Sequence, residues 1–299
     1  PGRWGRKDAL FKGPKIVAVF DEAAPFCAEI GIGIHAAHIL TKITKFNLNV
    51  RAFSPKFSVI KDKRFQLHDV IRLSGINIIF DDMDHLLTVK ATSIPRARVQ
   101  IYFIEDTELL NRHGPLGENG VFYPDIHERI MFFIKSVIKC IEKIMWVPQY
   151  LHVGGIMSAF VPVIINKLRG QIPHFTQHLK IRVSVAEMNY DGEVSTEILR
   201  FLKEEDVDYD LSEFLPLNYE NIMRMVIKFS DAVLFHDQQS YQRFIDYTKK
   251  LKKEFYVVPD LMNHNYDVEL FLLLEKLGYV ELPDEYHPER ILSRTKATG

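Results

Sequence analysis

The residues Ile16-Val17-Ala18-Val19-Phe20 (IVAVF) decide the fold of this 299-residue chain. Five consecutive apolar residues, three of them β-branched, predict a short strand that is buried on both faces. A loop with Pro25 and two glycines follows, then helical spacing over His35–Ile43 and a second β-type run over Val50–Phe53. This order of strand, helix and strand predicts the opening of a doubly wound parallel sheet.

Strand and helix patterns alternate along most of the remaining sequence. A β-type run at Leu73–Phe80 and another at Leu86–Ile94 predict a hairpin, and a helix is expected from Gly154-Gly155 to Lys167. Further strands are predicted at Val99–Ile104, Leu151–Val153, Ile181–Ala186, Asp231–Phe235 and Phe255–Val258. We therefore predict one α/β domain at 15–278, a three-layer Rossmann-like parallel sheet, between a basic arm at 1–14 and a polar tail at 279–299.

Composition excludes several classes of protein. The chain is 47% hydrophobic and 26% charged, which is typical of a globular protein with a buried core. Cys27 and Cys140 are too few for a disulfide framework and lack the spacing of a zinc site. No apolar run approaches the roughly 20 residues that span a bilayer, and the first residues lack the apolar segment of a secretory leader. We expect a reduced, cytoplasmic protein with no transmembrane segment, metal or cofactor.

Charge is unevenly distributed although the formal net charge is only −1. The arm interleaves cations with an aromatic side chain, which suits RNA, an acidic protein or a membrane surface, and is equally typical of a solubilising tail. Its candidate partner-binding residues are Arg3, Trp4, Arg6, Lys7 and Lys12. The acidic run from Glu204 to Asp210 is either a docking surface or a solvated loop.

Six short motifs, in order over roughly 16–235, resemble those of bacterial starch and glycogen synthases. The family's E-x-A-P-F, D-N-x-E-R-F and I-H-x-H-D-W motifs match the segments that begin at Glu22, Asp125 and Leu151. The other three are Tyr102-Phe103-Ile104 with Arg112 and Gly114, Ser184-Val185 with Tyr190 and Gly192, and Ser230-Asp231-Ala232-Val233. The chain also resembles short, single-domain members of that family in Trp146-Val147-Pro148 and in its early end.

The resemblance implies the N-terminal half of a two-domain, GT-B type glycosyltransferase. In such enzymes the active site lies in the cleft between two Rossmann-like halves. The N-terminal half mainly holds the growing glucan, and the C-terminal half mainly holds ADP-glucose. We expect this chain to lack that second half.

The motif that faces the diphosphate in the family has lost its cation. Where the family has Lys-x-Gly-Gly, this chain has Ala28-Glu29-Ile30-Gly31, so an alanine replaces the lysine beside a carboxylate. A carboxylate in that position would repel a diphosphate. Gly31 and Gly33 are either a remnant phosphate cradle or, more commonly for such a turn, glycines required for steric reasons.

Two further motifs have lost histidines. Where the family has His-x-His-Asp-Trp, this chain keeps His152 but has Gly154, Gly155 and Ile156, and the Thr-Ile-His-Asn motif reads Ser184-Val185-Ala186-Glu187. We therefore predict no catalytic residue and interpret His152 as a structural side chain. The family motif positions that remain are Glu22, Pro25, Gly31, Gly33, Arg129, His152, Gly154, Gly155, Tyr190 and Gly192.

Other constellations carry little chemistry. His174 and His178 would share one helical face, but Pro173 and the polar context favour a loop without a third ligand. The acids Asp81, Asp82 and Asp84 are typical of a solvated turn.

Three hypotheses follow. The first is a degenerate, non-catalytic synthase half that serves as an interaction platform for another protein. The second is a glucan-binding subunit that works with a separate ADP-glucose-binding domain. The third is an RNA- or ribosome-associated binder that acts through the basic arm.

Overall fold

The secondary structure alternates strands with helices, as the sequence predicts. A computed structural model describes residues 14–28, 31–43, 49–95, 97, 99–259 and 266–279. The strands are β1 (Lys15–Phe20), β2 (Asn49–Pro55), β3 (His68–Asp69), β4 (Ile76–Phe80), β5 (Met83–Ser93), β6 (Gln100–Glu105), β7 (Gly117–Glu118), β8 (Val121–Phe122), β9 (Tyr150–Gly154), β10 (Lys180–Val185), β11 (Ala232–Phe235) and β12 (Glu254–Val257). The helices are α1 (Ile32–Ile43), α2 (Asp62–Phe65), α3 (Ile126–Lys143), α4 (Val161–Leu168), α5 (Glu197–Glu204), α6 (Tyr219–Lys228), α7 (Gln238–Lys250) and α8 (Tyr266–Lys276).

Seven parallel strands form the body of a ten-stranded sheet, in the spatial order β12-β11-β10-β9-β1-β2-β6. The chain builds outward from β1 through β2 to β6, and then returns to the other side of β1 with β9. This is the strand order of a doubly wound Rossmann-type sheet. The order reverses between β1 and β9, where the connections that follow the two strands lead away in opposite directions and leave a crevice.

Alternate residues of β1 face opposite sides of the sheet and belong to two separate cores. Val17 and Val19 pack into one core with residues of α3 to α7. Ile16, Ala18 and Phe20 pack into the other with residues of α1 and α8. The sheet therefore lies between two helical layers, and the predicted three-layer α/β class is confirmed.

The far side of β6 carries the predicted hairpin. β5 pairs antiparallel with β6, and β4 pairs antiparallel with β5 through Ile76↔Leu87 and Phe80↔Met83. The two-residue turn Asp81-Asp82 has positive φ at both positions, as hairpin turns of this length require.

Two predicted boundaries are wrong. No helix starts at Gly154-Gly155, because Gly155 has φ +107° and a turn precedes α4, which begins only at Val161. The predicted polar tail starts at 279, but the Tyr279 side chain is fully buried and belongs to the domain. Residues 1–13 and 280–299 lie outside the described residues, and with them the five candidate partner-binding residues of the arm.

Candidate functional site

The crevice at the carboxyl ends of β1 and β9 is where an open α/β sheet places its ligands. Gly154 ends β9 and pairs with Phe20 of β1. A Cβ atom built on Gly154 would lie 2.8 Å from two ring carbons of Phe20 and 3.1 Å from the Cβ of Ser184. The Phe20 ring therefore occupies the space that a side chain at position 154 would need. A histidine would fit there only if that ring moved.

Asp21 occupies the corresponding space at the next position. Its carboxyl group accepts hydrogen bonds from the backbone N–H groups of Met157 (2.9 Å) and Ser158 (3.1 Å). A Cβ on Gly155 would lie 2.1 Å from the Asp21 Cγ. The carboxyl group thus comes from the residue that follows β1 instead of from residue 155. It is fully buried, and burial raises its pKa from 3.8 to about 7.

A chain of buried hydrogen bonds runs beneath the crevice. The Tyr279 hydroxyl lies 2.9 Å from His152 Nδ1, and His152 Nε2 lies 2.8 Å from Ser184 Oγ. Ser184 Oγ also lies 2.7 Å from His236 Nε2. All four side chains are at most 7% exposed, so the chain is closed to solvent.

The direction of these hydrogen bonds depends on the imidazole tautomers. In one arrangement the Tyr279 hydroxyl donates to His152 Nδ1, His152 to Ser184 and Ser184 to His236, which leaves a proton on His236 Nδ1, a buried nitrogen without a partner among the described residues. In the other arrangement every bond is reversed, and the Tyr279 hydroxyl is left without an acceptor among the described residues. Burial lowers the pKa of His152 to about 3 and that of His236 well below its ordinary value. Both imidazoles are therefore neutral near pH 7.

Of the two glycines near the start of α1, Gly33 is the one with a steric need. A Cβ on Gly33 would lie 2.7 Å from the Cys27 carbonyl oxygen and 2.9 Å from the Glu22 Cβ, whereas Gly31 has φ +91° and open space around it. Glu22 is buried and accepts a hydrogen bond from the Cys27 thiol at 3.1 Å. Ala28 is exposed and brings no cation, and Glu29 lies outside the described residues. These contacts favour the steric interpretation of Gly33.

The space that remains in the crevice is small and mostly apolar. Its cavity measures about 20 Å³, close to the smallest volume that holds one water. Its lining consists of the apolar residues Ile32, Ile156, Met188 and Met223 together with Gly155, Ser184, Ala186 and Tyr219.

A larger, polar groove opens beside the crevice, at the carboxyl end of β10. Its volume is about 510 Å³, within the range of small-molecule sites. Glu187 and Arg243 form an ion pair of 2.9 Å on one side. The lining residues also include Asn119, Asn189, Tyr190, Asp191, Gly192 and Asn218.

The groove is held by hydrogen bonds on both sides. Asp237 caps α7 by accepting from the Ser240 N–H, and its second oxygen accepts from the Glu187 N–H at 2.7 Å. The Asp191 N–H donates to the Gly120 carbonyl at 2.6 Å. The Tyr190 ring stacks on Phe122 with ring centroids 5.5 Å apart. One aromatic ring among amides, carboxylates and a guanidinium is a surface suited to a polyhydroxylated ligand.

The remaining predicted positions are structural or dispersed. Arg129 is fully buried, bonds Asp125 at 3.1 Å and stacks on Tyr123, whereas Pro25 is exposed after a cis peptide bond. His174 and His178 lie in turns instead of on a helix. No group of potential metal ligands occurs among the described residues.

The acidic run is mostly used within the protein. Glu204 pairs with Arg200 at 2.7 Å, Glu205 with Lys135, and Asp208 with Lys167 at 3.2 Å. Asp210 accepts from the Ser212 N–H at 3.0 Å. These partners agree better with a local structural role than with a docking surface.

Sequence reasoning missed Asp21, Ser184 as the centre of a hydrogen-bond chain, and the polar groove. Asp21 follows β1 directly, where the ends of parallel strands converge, so its position could have identified it. The groove joins residues from four separate segments, which no local pattern connects.

The fold is that of one Rossmann-like half of a GT-B type glycosyltransferase. The catalytic domain of starch synthase IV from Arabidopsis thaliana, solved with ADP and acarbose, superimposes with a TM-score of 0.65 at 16% identity. The alignment covers 83% of this chain and 52% of that one. In the described part of this chain, no helix is long and apolar enough to cross a membrane.

The chain belongs to the starch synthase family. The family profile described as "Starch synthase catalytic domain" matches residues 15–245. A glycogen synthase from Chlorobium chlorochromatii is 26% identical over 166 residues, which cover 52% of this chain and 32% of that enzyme. One from Chlorobium phaeovibrioides is 24% identical over 199 residues, covering 66% and 40%. The matched region spans about a third to two fifths of the length of these relatives.

Proposed function

We propose that this chain is a starch-synthase-type N-terminal domain that does not itself transfer glucosyl groups and acts by binding. One observation carries the proposal: the crevice where the family performs its chemistry is filled. The Phe20 ring and the Asp21 carboxyl group take the space of side chains at positions 154 and 155, and the cavity lined by described residues there measures only about 20 Å³.

The electrostatics support the same conclusion. Glycosyl transfer from a nucleotide diphosphate needs positive charge or N–H groups at the leaving group. The lysine of the family motif is replaced by Ala28, and His152 and His236 are neutral and engaged with Ser184. The crevice therefore offers no cation among its described residues. A rigid domain of this kind suits the role of an interaction platform for another protein.

The polar groove favours a second candidate function, the binding of an α-glucan. The family profile is that of starch synthases, and the relatives are glycogen synthases. The groove supplies hydroxyl-binding groups and the half-buried Tyr190 ring. An α-glucan is neutral, so the excess of carboxylates over guanidinium groups would not repel it.

Two assays test these proposals separately. The first measures ADP release from ADP-glucose with glycogen, by the chain alone and mixed with the C-terminal half of the Chlorobium chlorochromatii glycogen synthase. We expect no release above the level of that half alone. Sustained release that requires this chain would refute the non-catalytic proposal.

The second assay measures co-sedimentation with glycogen. Tyr190→Ala should abolish retention, whereas Tyr209→Ala should not, because Tyr209 is 39% exposed and packs on Phe229 instead. Equal retention of both variants would refute glucan binding in the groove. The outcome is independent of catalysis.

A further inference from the structure

Exposed lysines gather at the amino-terminal edge of the sheet, opposite the crevice. β10 and β12 begin at this edge, and α3 and α7 end there. No ion-pair partner occurs within the described residues for any of the five exposed lysines, which are Lys143, Lys180, Lys249, Lys250 and Lys252. Cations at helix ends are favoured by the helix dipole, but the dipole does not explain Lys180, which begins a strand.

Backbone contacts make this edge continuous. The Lys180 N–H donates to the Gln149 carbonyl at 3.0 Å, and the Asp231 N–H donates to the Ile181 carbonyl at 2.8 Å. Lys253 Nζ donates to the Ser230 carbonyl at 2.6 Å. The beginnings of β9, β10, β11 and β12 are therefore neighbours at one edge of the sheet.

Few carboxylates offset this charge. Asp231 accepts from the Ile181 N–H at 2.7 Å and pairs with Arg169 at 3.3 Å. Glu254 lies 3.8 Å from Arg182, and Asp246 is exposed one turn before the end of α7. The edge is net positive although the whole chain has a formal charge of −1.

Two exposed apolar side chains lie among these lysines. Met145 is 82% exposed and Val147 is 38% exposed, in the turn between Lys143 and β9. Met145 has φ +52°, a conformation that costs a non-glycine residue energy. The buried Trp146 between them anchors the turn beside Arg51, 4.8 Å from its ring, so that both apolar side chains point away from the core.

We propose that this lysine edge docks on an anionic lipid surface. Lysines near such a surface are attracted to its headgroups, and exposed apolar side chains between them enter the interfacial region. A nucleic acid would engage the lysines, but it gives no favourable environment to Met145 and Val147. An apolar pair at the same edge as these lysines therefore fits a lipid surface better than a nucleic acid.

Vesicle co-sedimentation with the full chain tests this proposal. We expect binding to phosphatidylcholine vesicles that contain about 30% phosphatidylserine and no binding to pure phosphatidylcholine vesicles. The experiment is done at about 0.1 M salt, where surface charges are only partly screened. Neutralising Lys180, Lys249 and Lys250 to Gln should lower the partition coefficient by about tenfold or more. Met145→Ser should lower it by about fivefold.

A matched control neutralises three exposed cations near the other end of the sheet, Lys61, Lys63 and Arg72, and should leave binding unchanged. Circular dichroism of each variant checks folding. The proposal is overturned if the wild type ignores anionic vesicles, or if both triple variants bind equally. It is likewise overturned if poly(U) is bound through this edge while vesicles are not.

Discussion

The Asp21 carboxyl group lies where the side chain of residue 155 would begin, since a Cβ on Gly155 would be 2.1 Å from the Asp21 Cγ. Where the resembling enzymes carry an aspartate at position 155, this chain has a carboxyl group in the same space from Asp21, the residue that follows the neighbouring strand β1. The crevice thus still contains a carboxyl group, that of Asp21, but this group is fully buried.

Gly155→Ala should therefore destabilise the protein strongly. The new methyl group meets Asp21 at φ +107°, and the combined strain and overlap should lower the free energy of unfolding by at least about 3 kcal/mol. Gly192→Ala is the matched control, because Gly192 has φ +105° and its nearest neighbouring atom lies 4.0 Å away. It should cost only about 1–2 kcal/mol. Equal losses in urea titrations would contradict the proposed overlap.

Asp21 should make stability depend on pH. Its pKa rises to about 7 on folding, so between about pH 4 and 7 the folded state binds a proton that the unfolded chain releases. The contribution of Asp21 to the free energy of unfolding therefore falls as pH rises through this range, by up to about 4 kcal/mol.

The two buried histidines, His152 and His236, change the free energy of unfolding with pH in the opposite direction. The pKa of His152 is lowered to about 3, so the unfolded chain gains protons below about pH 6.5 and stability falls as pH falls. The informative quantity is thus the difference in the free energy of unfolding between wild type and Asp21→Asn. It is measured by urea unfolding from about pH 4.5 to 8. Relative to wild type, the variant should become more stable as pH rises. Parallel profiles would rule out the raised pKa.

The hydrogen-bond chain should respond to removal of its hydroxyl groups. Ser184→Ala leaves two imidazole nitrogens without a partner and should cost about 2–4 kcal/mol, whereas Tyr279→Phe leaves one and should cost about 1–2 kcal/mol. Tyr150→Phe is the control, because the Tyr150 hydroxyl has no hydrogen-bond partner within the described residues, and it should cost less than about 0.5 kcal/mol. A loss for Tyr150→Phe as large as that for Ser184→Ala would contradict the assignment.

Local patterns predicted the fold well because burial and strand order depend on short runs. The continuously apolar IVAVF segment is buried on both faces, and the hairpin at β4 and β5 forms where its β-type runs occur. The helix expected after Gly154-Gly155 forms, but it begins only at Val161, because Gly155 adopts a positive φ around Asp21, a contact between residues far apart in sequence.

For the site, the sequence predicted only which side chains of the family are missing. Comparison with the family motifs identified the missing lysine and histidines, but those losses do not indicate what fills the space. In the sequence, Phe20 has the pattern of an ordinary core residue. The hydrogen-bonded series from Tyr279 to His236 joins residues up to 127 positions apart. Only the folded structure brings these side chains together.

Binding of ADP-glucose to the chain tests the central claim most directly. Saturation-transfer NMR should detect no transfer to the glucose or ribose protons of ADP-glucose at millimolar concentration, because the crevice is filled by Phe20 and Asp21. Saturable transfer to the glucose protons that Ala28→Glu abolishes would contradict the account.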